Sequence, residues 1–174
     1  MGHTSSGSQA AKLHMSVSAA LLAAEAACRA RGVQFTQIRK LVLQILCSAP
    51  QPLGAYDILK CMESELDRRL SPPTVYRALD FLLSQGLISK IESRNAFVPC
   101  AHPDHSHACV FFICENCGAS EEVEDRRLER LFERKADSLG FRINKRVLEL
   151  EGLCATCLGS APLKSASAMW GHGL

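Results

Sequence analysis

No uninterrupted run of eighteen apolar residues occurs in the sequence, so no segment is long enough to cross a bilayer as a helix. Neither His-x-Glu nor His-Glu-x-x-His occurs either. Those patterns set a general base beside an open metal position, and without them a zinc hydrolase or deaminase reading lacks its base. Asp104 is the one carboxylate that lies among the clustered histidines. Aromatic residues are scarce, at 6 % with a single tryptophan, so the cores have to be filled by Leu, Ile and Val. A secretory signal is poorly matched as well. Residues 17–28, "VSAALLAAEAAC", are apolar but interrupted by Glu25, with Arg29 and Arg31 behind them and no basic segment ahead. They read as a helix of a soluble protein.

The chain has 174 residues, 47 % of them apolar, which is room for one ordinary domain or two small ones. Residues 1–15 are polar and carry His14-Met15, a pair that cloning often leaves, and they read as a disordered or vector-derived tail. Residues 159–174 read as a second disordered tail. The net charge of +2 conceals a division. Residues 29–94 hold ten Lys and Arg against six Asp and Glu, a balance of +4, whereas residues 95–174 hold nine against eleven, a balance of −2. The basic part is the candidate for a polyanion.

Hydrophobic periodicity predicts helices in that basic part. "TQIRKLVLQILCSAP" begins on a capping Thr36 and puts Ile38, Leu41, Val42, Ile45 and Leu46 on one face. "GAYDILKCMESELDRR" spaces Ile58, Leu59, Met62 and Leu66 in the same way. In "SPPTVYRALDFLLSQG" Ser71 caps, the prolines fill the first turn and Gly86 stops the helix. Its buried stripe is Val75, Ala78, Leu79 and Leu82, which leaves Tyr76, Arg77, Asp80 and Ser84 outside. "LISKIES" and "AFVPC" then flank Arg94-Asn95 as a hairpin. Helices followed by a hairpin describe a winged helix-turn-helix, expected over residues 16–99. The rest reads as strand ("ACVFFIC"), strand ("ASEEVE"), helix ("DRRLERLFERKADSLG") and strand ("FRINKRVLELEG"). The fold class is therefore α+β: a winged helix-turn-helix followed over residues 100–158 by a small α/β unit, near the size at which a domain needs a staple.

That staple is visible. Nine cysteines is an odd number, and four of them form Cys114-x-x-Cys117 and Cys154-x-x-Cys157. Each turn places two thiolates about one tetrahedral edge apart, and the two together close a four-sulfur shell without an open position. Such a shell is structural and favours zinc. A thioredoxin-like role would want its motif at the start of a helix, whereas the first pair joins two strands. Gly118 supplies the positive φ angle that the turn needs. A second cluster, Cys100, His102, Asp104, His105, His107 and Cys109, is too dense for chance loop histidines, and the spacing Cys100-x4-His105-x-His107 lets a loop curl round one ion. A thiolate with imidazoles suits zinc better than Fe(II) or Mn(II).

With "PPTVYRALDFLLSQGLI", the His-rich loop, "FFICENCG" and "GLCATC" in that order, residues 20–158 resemble the ferric uptake regulator family, closest to its zinc-responsive branch. The resemblance implies a homodimeric, zinc-dependent transcriptional repressor of zinc-uptake genes, cytoplasmic and nucleoid-associated. It would have an N-terminal winged helix, a C-terminal dimerisation domain and two Zn2+ per chain. It assigns structural zinc to Cys114, Cys117, Cys154 and Cys157, and regulatory zinc to Cys100, His107 and Glu122, with His105 matching a ligand of some members. Ser89 stands where some zinc regulators have a histidine, which leaves His105 and His102 as alternatives for the fourth ligand. Lys145 replaces the histidine of a further family site, so that site is not expected. Ile38 replaces a family glutamine and leaves Arg39 in place.

An ion held by both Cys100 and Glu122 would fix the angle between the two units, and with it the spacing of the two reading helices on an inverted-repeat operator. Arg77 is the expected base reader, since a guanidinium can take guanine O6 and N7 together. Tyr56 resembles the family's second purine contact. Thr74 and Tyr76 are expected at phosphates or base edges, and Lys90 and Arg94 of the hairpin at the backbone or minor groove. The alternatives are an iron- or peroxide-responsive regulator of the same family, which Cys100 disfavours, and a zinc ribbon that binds protein only, which leaves the Arg77 face unexplained.

Overall fold

The computed structural model describes residues 16–100, 109–143 and 146–160. His102, Asp104, His105, His107 and Lys145 lie outside them, as do residues 1–15 and 161–174 of the expected tails; Gly159 and Ser160, expected in the second tail, end a helix instead.

Four helices form first: α1 (Val17–Ala30), α2 (Gln37–Ser48), α3 (Ala55–Leu66) and α4 (Pro72–Ser84). Ser16 starts α1 by accepting the Ala19 amide at 3.2 Å. Thr36 and Ser71 hold the starting positions of α2 and α4, but neither hydroxyl accepts a hydrogen bond from its helix. The reason is clear for α4. Pro72 and Pro73 have no N–H to offer, and the Thr74 amide goes to the Ser71 carbonyl at 2.9 Å. The Ser71 hydroxyl meets that of Thr74 instead, also at 2.9 Å. Gly86 turns the chain after α4 with φ +66°.

The apolar stripes meet in one core that includes Val42, Leu46, Ile58, Met62, Val75, Leu79 and Leu82. α4 buries the four residues expected of it; α2 also buries Leu43. The hairpin is present as β2 (Ile88–Ile91) and β3 (Ala96–Pro99), paired antiparallel with Ile91 opposite Ala96, and Asn95 takes φ +47° in the turn. A two-residue strand β1 (Leu53–Gly54) adds to β3, giving the order β1-β3-β2. "QPLG" is too short for any alternation to reveal it.

The second sheet has the order β5-β4-β6, from β4 (Cys109–Cys114), β5 (Ser120–Glu124) and β6 (Leu148–Gly152). β4 runs antiparallel to β5 and parallel to β6. Between β5 and β6, α5 (Arg126–Ser138) is capped by Asp125, whose Oδ1 accepts the Arg127 amide at 2.7 Å. The last strand is shorter than its alternating sequence suggests. Arg146 turns to α5, 3.0 Å from Glu133 and 3.7 Å from Glu129, and pairing with β4 begins only at Leu148. A last helix, α6 (Ala155–Ser160), carries Cys157 and was not legible in the sequence.

Strand parity sorts this sheet into two faces. Glu122, Phe111 and Glu149 lie side by side across β5, β4 and β6. On the opposite face Phe112 and Leu150 are paired and exposed. The Phe111 face meets the wing: Ile91 is fully buried against Phe111 and Ile113, with Val98 beside them.

Candidate metal centres and the DNA-facing helix

The first Cys-x-x-Cys pair lies in the turn between β4 and β5, the second at the start of α6. Parallel pairing of β6 with β4 ends at Cys114 opposite Gly152, so the chain delivers Cys154 and Cys157 beside the first turn. The four Sγ atoms lie within 4.8 Å of one another, and Cys117 and Cys154 are 3.7 Å apart. An edge of about 3.8 Å is expected of a tetrahedral zinc with bonds of about 2.3 Å to sulfur. The donor set fits that ion. Cys114 and Cys157 are buried. The backbone amides of Cys117 and Cys154 lead the groups that draw the Cys114 thiol down to about 6. At Cys157 the Asn116 amide, 3.3 Å from the sulfur, works to lower the pKa, but Cys154, burial and the other thiols push it up to about 12. Metal binding to such a cluster takes the thiols as thiolates and releases their protons. Gly118 holds φ +74°, and a Cβ there would stand 3.4 Å from Gln51 Oε1 and 3.5 Å from Arg94 Nη1.

Of the regulatory ligands that the resemblance assigns, Cys100 and Glu122 lie among the described residues. They come from different sheets, with Cys100 leaving β3 and Glu122 in the middle of β5. Cys100 Sγ is 3.8 Å from Glu122 Oε1. Two ligands of one tetrahedral zinc, at about 2.3 Å for sulfur and about 2.1 Å for oxygen, would be about 3.6 Å apart. The pair fits a shared ion. The expected ligands His105 and His107, and the reserve His102, fall outside the described residues. Cys28, Cys47 and Cys61 join neither cluster; burial raises the thiols of Cys28 and Cys47.

Tyr76 and Arg77 are exposed on α4, and Thr74 is half-buried beside them. Tyr56 opens α3, exposed, with the Lys60 ammonium 4.5 Å from its ring centroid. The hairpin cations are engaged differently. Lys90 pairs with Glu92 at 2.6 Å. Arg94 turns to the metal turn, where Nη2 donates to the Cys114 carbonyl at 3.1 Å. Arg39 is structural: its guanidinium stacks 3.4 Å from the Phe81 ring centroid and donates to the Gln34 carbonyl.

Two residues that sequence reasoning missed join Arg94. Gln51 Nε2 donates to the Cys117 carbonyl at 2.7 Å. Glu149 accepts the Glu92 amide at 2.6 Å and the Ser93 amide at 3.0 Å. No pattern marks Gln51. Glu149 was findable only as an acid on the inward face of "VLELEG".

The profile of the ferric uptake regulator family matches residues 30–151. The chain belongs to that family. A member in Escherichia coli (strain K12), the zinc uptake regulation protein, is 40% identical over 139 residues, covering 79% of this chain and 81% of that protein. The peroxide operon regulator of Bacillus subtilis (strain 168), 31% identical, covers 72% and 85%. Among solved structures, a zinc uptake regulator complexed with zinc and DNA superposes with a TM-score of 0.80 at 37% identity, over 84% of this chain and 97% of the other. Holo XcZur gives 0.74 at 43% identity, over 80% and 96%. TM-scores this high over both sheets show that this family member shares the arrangement of its two halves with those two structures.

Proposed function

We propose that this chain is a zinc-responsive, DNA-binding transcriptional repressor of the ferric uptake regulator family that controls zinc-uptake genes. The observation that carries the reading is the meeting of Cys100 with Glu122, a zinc-like donor pair bridging the DNA-reading half and the other half. Likeness to a zinc uptake regulator bound to zinc and DNA supports the same conclusion. The finer assignments follow from it. Each chain holds two zinc ions, one in the four-thiolate shell and one shared by Cys100, Glu122, His107 and His105. The DNA-binding unit spans residues 16–99 and the dimerisation unit residues 100–158.

The dimer forms on the sheet face carrying exposed Phe112 and Leu150, together with Leu128 and Leu131 of α5. Arg77 reads a base; Tyr56, Thr74 and Tyr76 support it at base edges and phosphates, and Lys90 meets phosphate. Two-fold symmetry makes the operator an inverted repeat. No helix among the described residues is long and apolar enough to cross a membrane, and a nucleoid-associated cytoplasmic regulator needs none. Zinc here organises binding, and no enzymatic role is assigned. The experiment is metal analysis of the purified protein with operator binding titrated against free zinc. Tight binding should appear only as the second ion loads. Equal binding with one ion, or activation by Fe(II) in preference to zinc, would refute the reading.

A further inference from the structure

Glu122 and Glu149 occupy the two outer strands of one sheet, in a single row with Phe111 between them. Strands in a sheet are about 4.8 Å apart, so the two carboxylates attach to the sheet about 10 Å from each other. Both point toward the winged helix. Glu122 meets Cys100 at the exit of β3. Glu149 meets the opposite end of the hairpin, where two successive turn amides, those of Glu92 and Ser93, fill its two oxygens. Between these ends Phe111 and Ile113 bury Ile91. A single ion at one end of this contact would leave the reading half free to swivel about it. A second attachment removes that freedom.

We propose that Glu149 is a positioning residue for DNA binding, clasping the wing turn through two backbone amides so that the regulatory ion and this carboxylate together fix the orientation of the reading helix. The inference rests on the zinc-responsive reading above. Arg94 and Gln51 reinforce the clasp from the structural metal turn, whose Cys114 and Cys117 carbonyls they hold. Glu149 takes the two backbone amides of the turn together with the Ser93 side chain, so the clasp holds the turn chiefly by its backbone shape. Burial acts to raise the pKa of this carboxyl, but the Ser93 and Glu92 hydrogen bonds outweigh it and keep the group below the ordinary glutamate value. Glu149 is therefore charged throughout the neutral range, and charged acceptors make the stronger hydrogen bonds.

The test uses the full-length, zinc-loaded protein with Glu149→Gln, Glu149→Ala and, as control, Glu151→Gln on the same strand and face. Hydrogen exchange at the Glu92 and Ser93 amides reads the clasp directly. Binding to inverted repeats whose half-sites are moved apart or together by one base pair reads its effect. In Glu149→Ala both amides should exchange at least about tenfold faster, and the preference for one spacing over its neighbours should fall about tenfold. Dimer mass and the tightly held zinc should be unchanged. Glu149→Gln, which keeps the volume but offers one acceptor, should fall between, and Glu151→Gln should match wild type. Unchanged exchange would show that the contact is not made. Faster exchange with intact spacing preference would show that the contact does not position the helix, and equal weakening on every DNA would point to a general loss of stability. Each of these overturns the inference while sparing the functional reading. Wild-type protein that binds no inverted repeat would defeat that reading, and this inference with it.

Discussion

Arg77 and Arg94 carry the same charge and differ in what their backbone neighbours leave them to do. Arg77 stands exposed on α4 beside the buried stripe Val75, Ala78 and Leu79, so a rigid helix aims it outward. Arg77→Ala should weaken specific binding by about 1–3 kcal/mol and flatten preference at one base position per half-site, measured by selecting binding sequences with the zinc-loaded protein. Lys90→Ala should instead weaken all sequences alike and reduce the salt slope by about one unit. The sequence made Arg77 legible because helical periodicity identifies the outside of a helix. It did not do so for Arg94, because a turn has no period to say which half of the molecule its side chains face. Gly118 was legible for a similar reason: a Cys-x-x-Cys-Gly turn calls for a left-handed residue, and φ is +74°. Gly118→Ala should be unfavourable because a side chain is strained at that φ, while the Gln51 and Arg94 side chains leave its Cβ ordinary contact. A lower melting temperature together with weakened zinc retention would be the measured result.

At the scale of elements, the small sheet and α6 are held by few buried side chains, and the four-thiolate shell compensates. Cys154→Ser should release the structural zinc, dissociate the dimer and lower the melting temperature on the order of 10 °C or more, followed by metal analysis, sedimentation and calorimetry. A variant that loses zinc yet stays dimeric and stable would remove the staple from the account. Helix stripes were readable because each helix buries one face in a local core. The caps of α2 and α4 were misread because residue type marks a capping position without guaranteeing the bond; two prolines at the start of α4 leave Ser71 little to accept. β1 and the true start of β6 were hidden for a different reason. Both are decided by long-range pairing, with Phe97 in one case and with Val110 after Arg146 has turned to α5 in the other.

For the whole molecule, the meeting of Cys100 with Glu122 was expected from the family resemblance, whereas spacing along the chain alone pointed only to Cys100 and the histidines. Cys100 and Glu122 are 22 positions apart, and only folding brings them within 3.8 Å. Cys100→Ser and His107→Ala should each leave a folded dimer that keeps about one zinc per chain but has lost zinc-dependent operator binding, as read by metal content and DNA titration together. A variant that unfolds, or that binds the operator normally, would move the regulatory ion elsewhere. The turn bearing Cys114 and Cys117 has a further consequence. It fixes the count of residues between Ile113 and its partner Ser120, and so decides whether odd or even positions of β5 look toward the winged helix. One residue added there would rotate Glu122 to the far side of the sheet while leaving all four cysteines in the chain. The length of that turn thus works as a ruler: with its cysteines gathered at one site, it keeps Glu122 in phase with Cys100 across the sheet.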